Sequence, residues 1–315
     1  MSKGKILVTD TLFVYDEHVK KLEAAGYEVI RCEKPDSTEK ELCELVRGKI
    51  GYLQGGIEKI TDKVVDAADQ LKVISVAAVG YEYFIPGWAH ALEKGVTITY
   101  TPDGPTHEVA EWAIAACLLM NREFLDLGLV GEKQFATTKG IEAQNVGIIG
   151  LGRIGSAISE MLKPFRPASI SYYAKHRHED KERVLGVKYL ELMELLNSCD
   201  IVFLCVSDDA KNLVNAAELQ AMKKDALLIN TSHAGVIDEK ALLNMLQKRT
   251  IRAISDHPMT PAGFSALPYS HWYCNKTSNT ITKSGAKLMS DTITNSMLNI
   301  LDGKDDKYVV KKDGL

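Results

Sequence analysis

The sequence predicts an α/β protein made of two doubly wound parallel-sheet domains. Three observations carry that reading. Short apolar runs alternate with amphipathic helical patterns along most of the chain. A cluster of breakers near residue 101 divides the alternation into two series. The second series contains a glycine-rich turn between a buried strand and a helix. Parallel strands need a crossover between them, usually a helix, so strict alternation is the pattern a parallel sheet leaves in sequence.

In the first series, residues 5–8 read as a strand and 15–25 as an amphipathic helix. Residues 27–31 are strand-like, 39–47 carry helical spacing, 50–53 form a short strand, 61–68 a helix and 73–76 a strand. Thr101, Pro102, Asp103, Gly104 and Pro105 then break the pattern. An apolar helix follows over 109–121, opened by Thr106 and Glu108, and a polar, glycine-containing stretch runs from 128 to 144. Strands of the second series read as 146–149, 169–173, 201–205, 227–229 and 252–255. The closing apolar helix, 287–301, suits either domain; the division adopted is 1–100 with 286–315, and 101–285.

Composition narrows the function classes. The 315 residues are 45% hydrophobic and 25% charged, the balance of a globular protein large enough to bury a core without staples. A net charge of -4 provides no basic field for nucleic acid. The N-terminal residues run straight into a strand-like segment without a leader pattern, and no window has the apolar length of a membrane span. The expectation is a cytoplasmic protein with neither nucleic-acid nor membrane partners. Cys32, Cys43, Cys117, Cys199, Cys205 and Cys274 form no C-x-x-C pair and read as free thiols; no metal site is expected.

The strongest motif is "NVGIIGLGRIGSAISEML", 145–162. Gly150 permits a tight turn, Gly152 lets the backbone approach a pyrophosphate, and Gly155 allows the helix to pack closely on the strand. Arg153 and Ile154 lie in the same turn, and the helix N-terminus offers unpaired N–H groups to phosphate. At the end of the next strand, where a carboxylate usually grips the ribose 2′-hydroxyl, the chain reads Ala174, Lys175, His176, Arg177. Lysine and arginine attract a 2′-phosphate that a carboxylate would repel, so NADP(H) is expected over NAD(H).

The segments "LKVISVAAVGYEYF", "TPDGPTHEVAEWAIA", "VGIIGLGRIG", "CDIVFLCVS" and "NAAELQAMKKDALLINTSHAGVIDEKAL" resemble the D-isomer-specific 2-hydroxyacid dehydrogenases, from about residue 5 to the terminal "NILDGKDDKYVV". The resemblance implies a flavodoxin-like substrate domain, a Rossmann domain inserted in it, a cleft between the two, and a homodimer. It implies hydride transfer between a nicotinamide cofactor and a small 2-oxo or 2-hydroxy acid. It also assigns cofactor contacts to Thr106, Cys205, Val206, Thr231, Ser232 and Asp256.

The family's catalytic pattern is changed. Its substrate-clamping arginine falls on His233, in "NTSHAG"; its glutamate falls near Pro261 or Met259; its histidine falls on Asn279 or Thr280. Imidazole cannot reproduce the bidentate guanidinium fork, and neither proline nor asparagine serves as a general acid. His233, Asn279 and Tyr81 are therefore the candidate catalytic groups. His257 ranks lower because strand alternation points it away from Asp256, and His271, Tyr83 and Lys283 are minor candidates. The leading expectation is an NADP(H)-dependent oxidoreductase acting on a 2-oxo acid, ketone, aldehyde, imine or enone. The alternatives are an inactive NADP(H)-sensing protein of the same fold and, with no residue singling it out, a lyase or hydrolase.

Overall fold

The computed structural model describes residues 2–9, 14–34, 36–130, 137–207, 210–259, 263–275 and 281–311. The chain divides into two compact units, Met1–Pro105 with Thr282–Leu315, and Thr106–Ile281.

The first unit runs β1 (Lys5–Thr9), α1 (Asp16–Ala24), β2 (Glu28–Cys32), α2 (Glu39–Leu45), β3 (Gly51–Gln54), α3 (Asp62–Ala67), β4 (Val73–Val76), α4 (Tyr81–Phe84), α5 (Trp88–Glu93) and β5 (Thr97–Thr99). Its strands pair in parallel in the order β2-β1-β3-β4-β5, the flavodoxin-like winding. Leu7, Tyr52 and Ile74 pack under helices on one face, while Ile6, Leu53 and Val73 face the other. Helix starts follow local chemistry: at α2 the Thr38 hydroxyl accepts from Glu41 N and the Glu41 carboxylate accepts from Thr38 N at 2.7 Å.

The second unit runs α6 (Thr106–Asn121), α7 (Phe124–Val130), β6 (Asn145–Ile149), α8 (Arg153–Leu162), β7 (Ser169–Tyr173), α9 (Glu179–Leu185), β8 (Lys188–Tyr189), α10 (Leu192–Ser198), β9 (Ile201–Leu204), α11 (Ala216–Ala221), β10 (Leu227–Asn230), α12 (Glu239–Gln247), β11 (Arg252–Ser255) and β12 (Trp272–Cys274). Its sheet has the order β12-β11-β10-β9-β6-β7-β8, all parallel, with the winding reversing between β6 and β9. Strands β9, β10 and β11 are buried on both faces; β9 and the first three residues of β10 are apolar throughout, whereas β11 buries the polar Arg252 and Ser255 at its ends.

The last helix, α13 (Lys283–Leu301), packs on β3, β4 and β5 of the first unit. It starts before the expected residue 287 because the Thr282 hydroxyl caps it, accepting from Gly285 N at 3.0 Å. The boundary expected at 285/286 thus falls inside that helix, and the observed divisions are Pro105/Thr106 and Ile281/Thr282. The stretch read as polar from residue 128 overlaps the end of α7, and the expected strand 201–205 stops at Leu204. Strands β5, β8 and β12 went unread; each has only two or three residues, too few for alternation to register. Among the described residues no helix is long and apolar enough to cross a membrane.

Candidate functional site

The three glycines after β6 do different work. Gly150 adopts φ +98, and its N–H donates to Tyr173 O at 2.8 Å, joining the turn to the end of β7. A Cβ on Gly150 would lie 2.4 Å from the Cys205 carbonyl oxygen, and one on Gly155 would lie 2.1 Å from the Gly150 carbonyl oxygen. Both positions are closed to side chains by the protein's own backbone. A Cβ on Gly152 would meet nothing within 4 Å. The residue that no internal contact requires to be glycine therefore faces open space beside the N-terminus of the ten-residue helix α8. Open space, a short backbone and a helix N-terminus together fit the pyrophosphate of a dinucleotide. Arg153 and Ile154 form the first turn of α8, with Ile154 packed against the core.

Across the point where the winding reverses, the ends of β9 and β10 are tied together. Thr231 Oγ1 donates to Leu204 O at 2.9 Å, Ser232 Oγ donates to the same carbonyl at 3.2 Å, and Val206 N donates to Ser232 Oγ at 2.8 Å. The hydroxyls of Thr231 and Ser232 thus shape the edge on which a ligand would lie. Burial pushes the Cys205 thiol up to about 12, so it is an inert wall. His233 comes next. Its Nδ1 lies 3.2 Å from where a Gly235 Cβ would stand, and its Nε2 is buried with no hydrogen-bond partner among the described residues.

Asp256, 3% exposed, follows β11, and Asn275 Nδ2 donates to its Oδ1 at 2.8 Å. His257 departs from expectation. Its Nδ1 lies 3.7 Å from Asp256 Oδ2, because β11 ends at Ser255 and strand alternation no longer governs the next two side chains. Nδ1 has no hydrogen bond there.

Beyond β7, Lys175, His176 and Arg177 are exposed. The sequence places no carboxylate at this strand end, but the fold supplies one. Arg177 Nε donates to Glu182 Oε1 at 2.8 Å and Nη2 donates to Oε2 at 2.9 Å, the parallel bidentate arrangement. Tyr172 OH donates to Glu182 Oε1 at 2.8 Å. These bonds hold the Glu182 carboxyl down at about 2, the arginine pair being the largest cause. Lys181 Nζ donates to Leu151 O at 2.7 Å, fastening α9 to the glycine turn. Lys181, Glu182 and Asn275 were missed. A polar run such as "HRHEDKER" gives no sign of which charge meets which, although the spacing of Arg177 and Glu182 across a helix start was a usable hint.

Tyr81 is a core ring in the first unit, 8% exposed, with edge contacts to Trp88 at 5.7 Å and Tyr100 at 5.2 Å between centroids. Burial, with a smaller contribution from Glu82, pushes its phenol up to about 12, which suits packing rather than proton donation. Tyr83 is exposed, with Lys59 Nζ over its ring. His271 is half-buried against Ser270 Oγ, and desolvation, then Arg249 and Arg252, hold its imidazole below the ordinary range. Lys283 is an exposed residue at the start of α13. Thr106 opens α6, which packs on α8. Asn279, Thr280 and Pro261 lie outside the described residues. Among the described residues, no group of three or more metal-ligating side chains occurs.

The C-terminal edge of one sheet therefore collects the glycine turn, the Lys175 to Arg177 segment, Cys205, Val206, Thr231 to His233 and Asp256, on the neighbouring strands β11, β10, β9, β6 and β7. Such an edge, at the reversal of a doubly wound sheet, is where nucleotide cofactors bind. Comparison with known proteins agrees. Residues 119–260 match the family model described as D-isomer specific 2-hydroxyacid dehydrogenase, NAD binding domain. The chain is 34% identical over 227 residues to a glyoxylate reductase of Thermofilum pendens, covering 68% of this chain and 66% of that one, a little under two thirds of its length. A protein from Thermus thermophilus, TT0316, superposes with a TM-score of 0.83 at 25% identity, covering 98% of this chain and all of that one. A 2-hydroxyacid dehydrogenase from Ketogulonicigenium vulgare superposes with the same TM-score of 0.83 at 23% identity, covering 99% of each chain, and shares the fold. The chain belongs to the D-isomer-specific 2-hydroxyacid dehydrogenase family.

Proposed function

We propose that this protein is an oxidoreductase that uses a nicotinamide dinucleotide to reduce the carbonyl of a small molecule, with NADP(H) preferred over NAD(H). The observation that carries the reading is the open face at Gly152, set beside the α8 N-terminus in a turn whose other two glycines are fixed by packing. Gly150 to Gly155 would hold the pyrophosphate, Lys175, His176 and Arg177 the adenosine end, and the β9, β10 and β11 ends the nicotinamide. When bound, the cofactor supplies the hydride.

The chain's own residues supply position and a proton. Thr231 and Ser232 stiffen the edge, and Asn275 orients the Asp256 carboxylate. His233 stands where the family places its arginine, and an imidazole nitrogen can donate a hydrogen bond to a substrate oxygen or accept one from a hydroxyl. Its unpartnered buried Nε2 supports a role in holding or protonating a substrate oxygen, since an unmade hydrogen bond there costs about 1–3 kcal/mol until a partner arrives. Without a guanidinium fork, a ketone, aldehyde, imine or enone suits the site as well as a 2-oxo acid does. Asn279 remains a second candidate on sequence position alone. Homodimerisation rests on the family resemblance, and sedimentation equilibrium would test it.

The test is a fluorescence titration with NADPH and NADH followed by a screen of carbonyl compounds for cofactor oxidation. Turnover that collapses in His233→Ala while cofactor binding persists supports the reading. The second reading is an NADP(H)-sensing protein without turnover. It is favoured by His233, Pro261 and Asn279 standing at all three family catalytic positions, and tight binding with no oxidation of any compound would support it.

A further inference from the structure

Arg177 is the natural phosphate ligand of the adenosine end, yet one edge of its guanidinium is already taken. Nε and Nη2 both bond the two oxygens of Glu182. The pair is held from behind: Tyr172 OH donates to Glu182, His178 N donates to that phenol oxygen at 2.8 Å, and the Arg177 guanidinium carbon lies 5.8 Å from the Tyr189 ring centroid. The Glu182 side chain is only 16% exposed, whereas that of Arg177 is 55% exposed. A depression of about 480 Å³ lies here, lined by Arg177, Glu179, Glu182 and Arg183. The segment is not remote from the cofactor turn, because Lys181 fastens the same helix to Leu151 O and Gly150 N bonds Tyr173 O.

We propose that Glu182 sets the selectivity between phosphorylated and unphosphorylated dinucleotides, by occupying the Nε–Nη2 edge of Arg177 and placing a carboxylate charge beside any 2′-phosphate this guanidinium would bind. This rests on the cofactor reading above and deepens it. A carboxylate and a phosphate use the guanidinium in the same bidentate way, and Glu182 already occupies its Nε–Nη2 edge. A 2′-phosphate gains Arg177 either by breaking these two charge-assisted bonds or by taking the remaining Nη donors while standing beside a carboxylate. A 2′-hydroxyl carries no such charge and leaves the pair intact. Glu182 therefore lowers affinity for NADPH and leaves NADH nearly untouched. Lys175 and His176, exposed and without a carboxylate partner of this kind among the described residues, keep the net preference on the phosphate side.

The experiment measures dissociation constants of NADPH, NADH, 2′-phospho-AMP and AMP for the wild type, Glu182→Gln, Tyr172→Phe and Arg177→Gln. Glu182→Gln should tighten NADPH and 2′-phospho-AMP by roughly fivefold or more, the scale of one released charge-assisted bond, with NADH and AMP within about twofold. Tyr172→Phe, which removes one anchor of the carboxylate, should shift the ratio the same way by less. Arg177→Gln should lower the phosphate preference. An unchanged ratio of phosphorylated to unphosphorylated affinity in Glu182→Gln overturns the proposal, as does an equal change in both. If Glu182→Gln fails to fold, an unchanged ratio in Tyr172→Phe overturns it. A wild type that binds neither dinucleotide overturns the cofactor reading itself, a result distinct from binding with a flat ratio.

Discussion

Gly152 and Gly155 stand three residues apart in one turn, yet alanine at each should fail in a different way. At Gly155 the added Cβ would lie 2.1 Å from the Gly150 carbonyl oxygen and 3.0 Å from Ile148 Cγ2. The near neighbour is backbone, so α8 itself must move off β6 by on the order of an ångström. Overpacking of this kind costs about 1–3 kcal/mol, and a backbone clash belongs at the upper end. In a unit of this size each kcal/mol moves the midpoint by about 2–4 °C, so Gly155→Ala should lower the melting temperature by roughly 6–12 °C without any ligand present. At Gly152 the added methyl meets nothing, and the backbone there, φ -76, is open to alanine. Gly152→Ala should melt within about 2 °C of the wild type, since a substitution without contacts stays within ~0.5 kcal/mol. Its NADH affinity should nonetheless fall by about tenfold or more, the 1.4 kcal/mol step expected when a methyl displaces a closely held phosphate. Circular-dichroism melts of the apoprotein and fluorescence titrations read the two effects separately. If Gly152→Ala binds NADH like the wild type, the open face is not where the pyrophosphate lies. If it melts as low as Gly155→Ala, the division of labour among the glycines is wrong.

Three further outcomes can be measured. His233→Ala should abolish turnover without lowering the melting temperature, because the Nε2 it removes has no partner to lose among the described residues; a loss of several degrees would make the residue structural. Arg252, 8% exposed, donates to Met120 O at 3.1 Å and Asn121 Oδ1 at 2.9 Å, so Arg252→Met should cost about 2–4 kcal/mol by leaving the end of α6 unsatisfied, read by urea denaturation. For pH, Glu41 is held down at about 2, first by the Lys34 ammonium and then by Thr38 N–H. Asp200, although burial pushes it up, ends below its usual value through Lys223 and Asn145 N–H. A carboxyl whose folded pKa is depressed stabilises the fold above its unfolded pKa and loses that contribution as pH falls toward the folded value. Stability should therefore decline from the ordinary carboxylate range near 4.5 down toward 2, and Glu41→Gln with Asp200→Asn should flatten the decline in denaturation curves.

Much of this protein could be read from its sequence because the determinants are local and repetitive. Strands buried on both faces are largely apolar, so β9 and β10 announced themselves as runs. Glycine at 150 and 155 follows from a turn that admits no Cβ, and the same motif placed the cofactor edge. His233 was visible because it ends such a run. What the chain order could not decide was partnership. The basic segment after β7 read as a free phosphate site until the fold brought Glu182 onto Arg177, and both residues lie in a polar stretch with no periodicity to register the meeting. Which rings pack against Tyr81, namely Trp88 and Tyr100, was likewise decided by the fold. His257 turned toward Asp256 because β11 ends at Ser255, before both residues, so strand alternation does not govern them. Backbone pattern is a property of neighbours along the chain and is legible there; whether a charge is free, paired or buried depends on residues that only the packed fold brings within hydrogen-bonding distance.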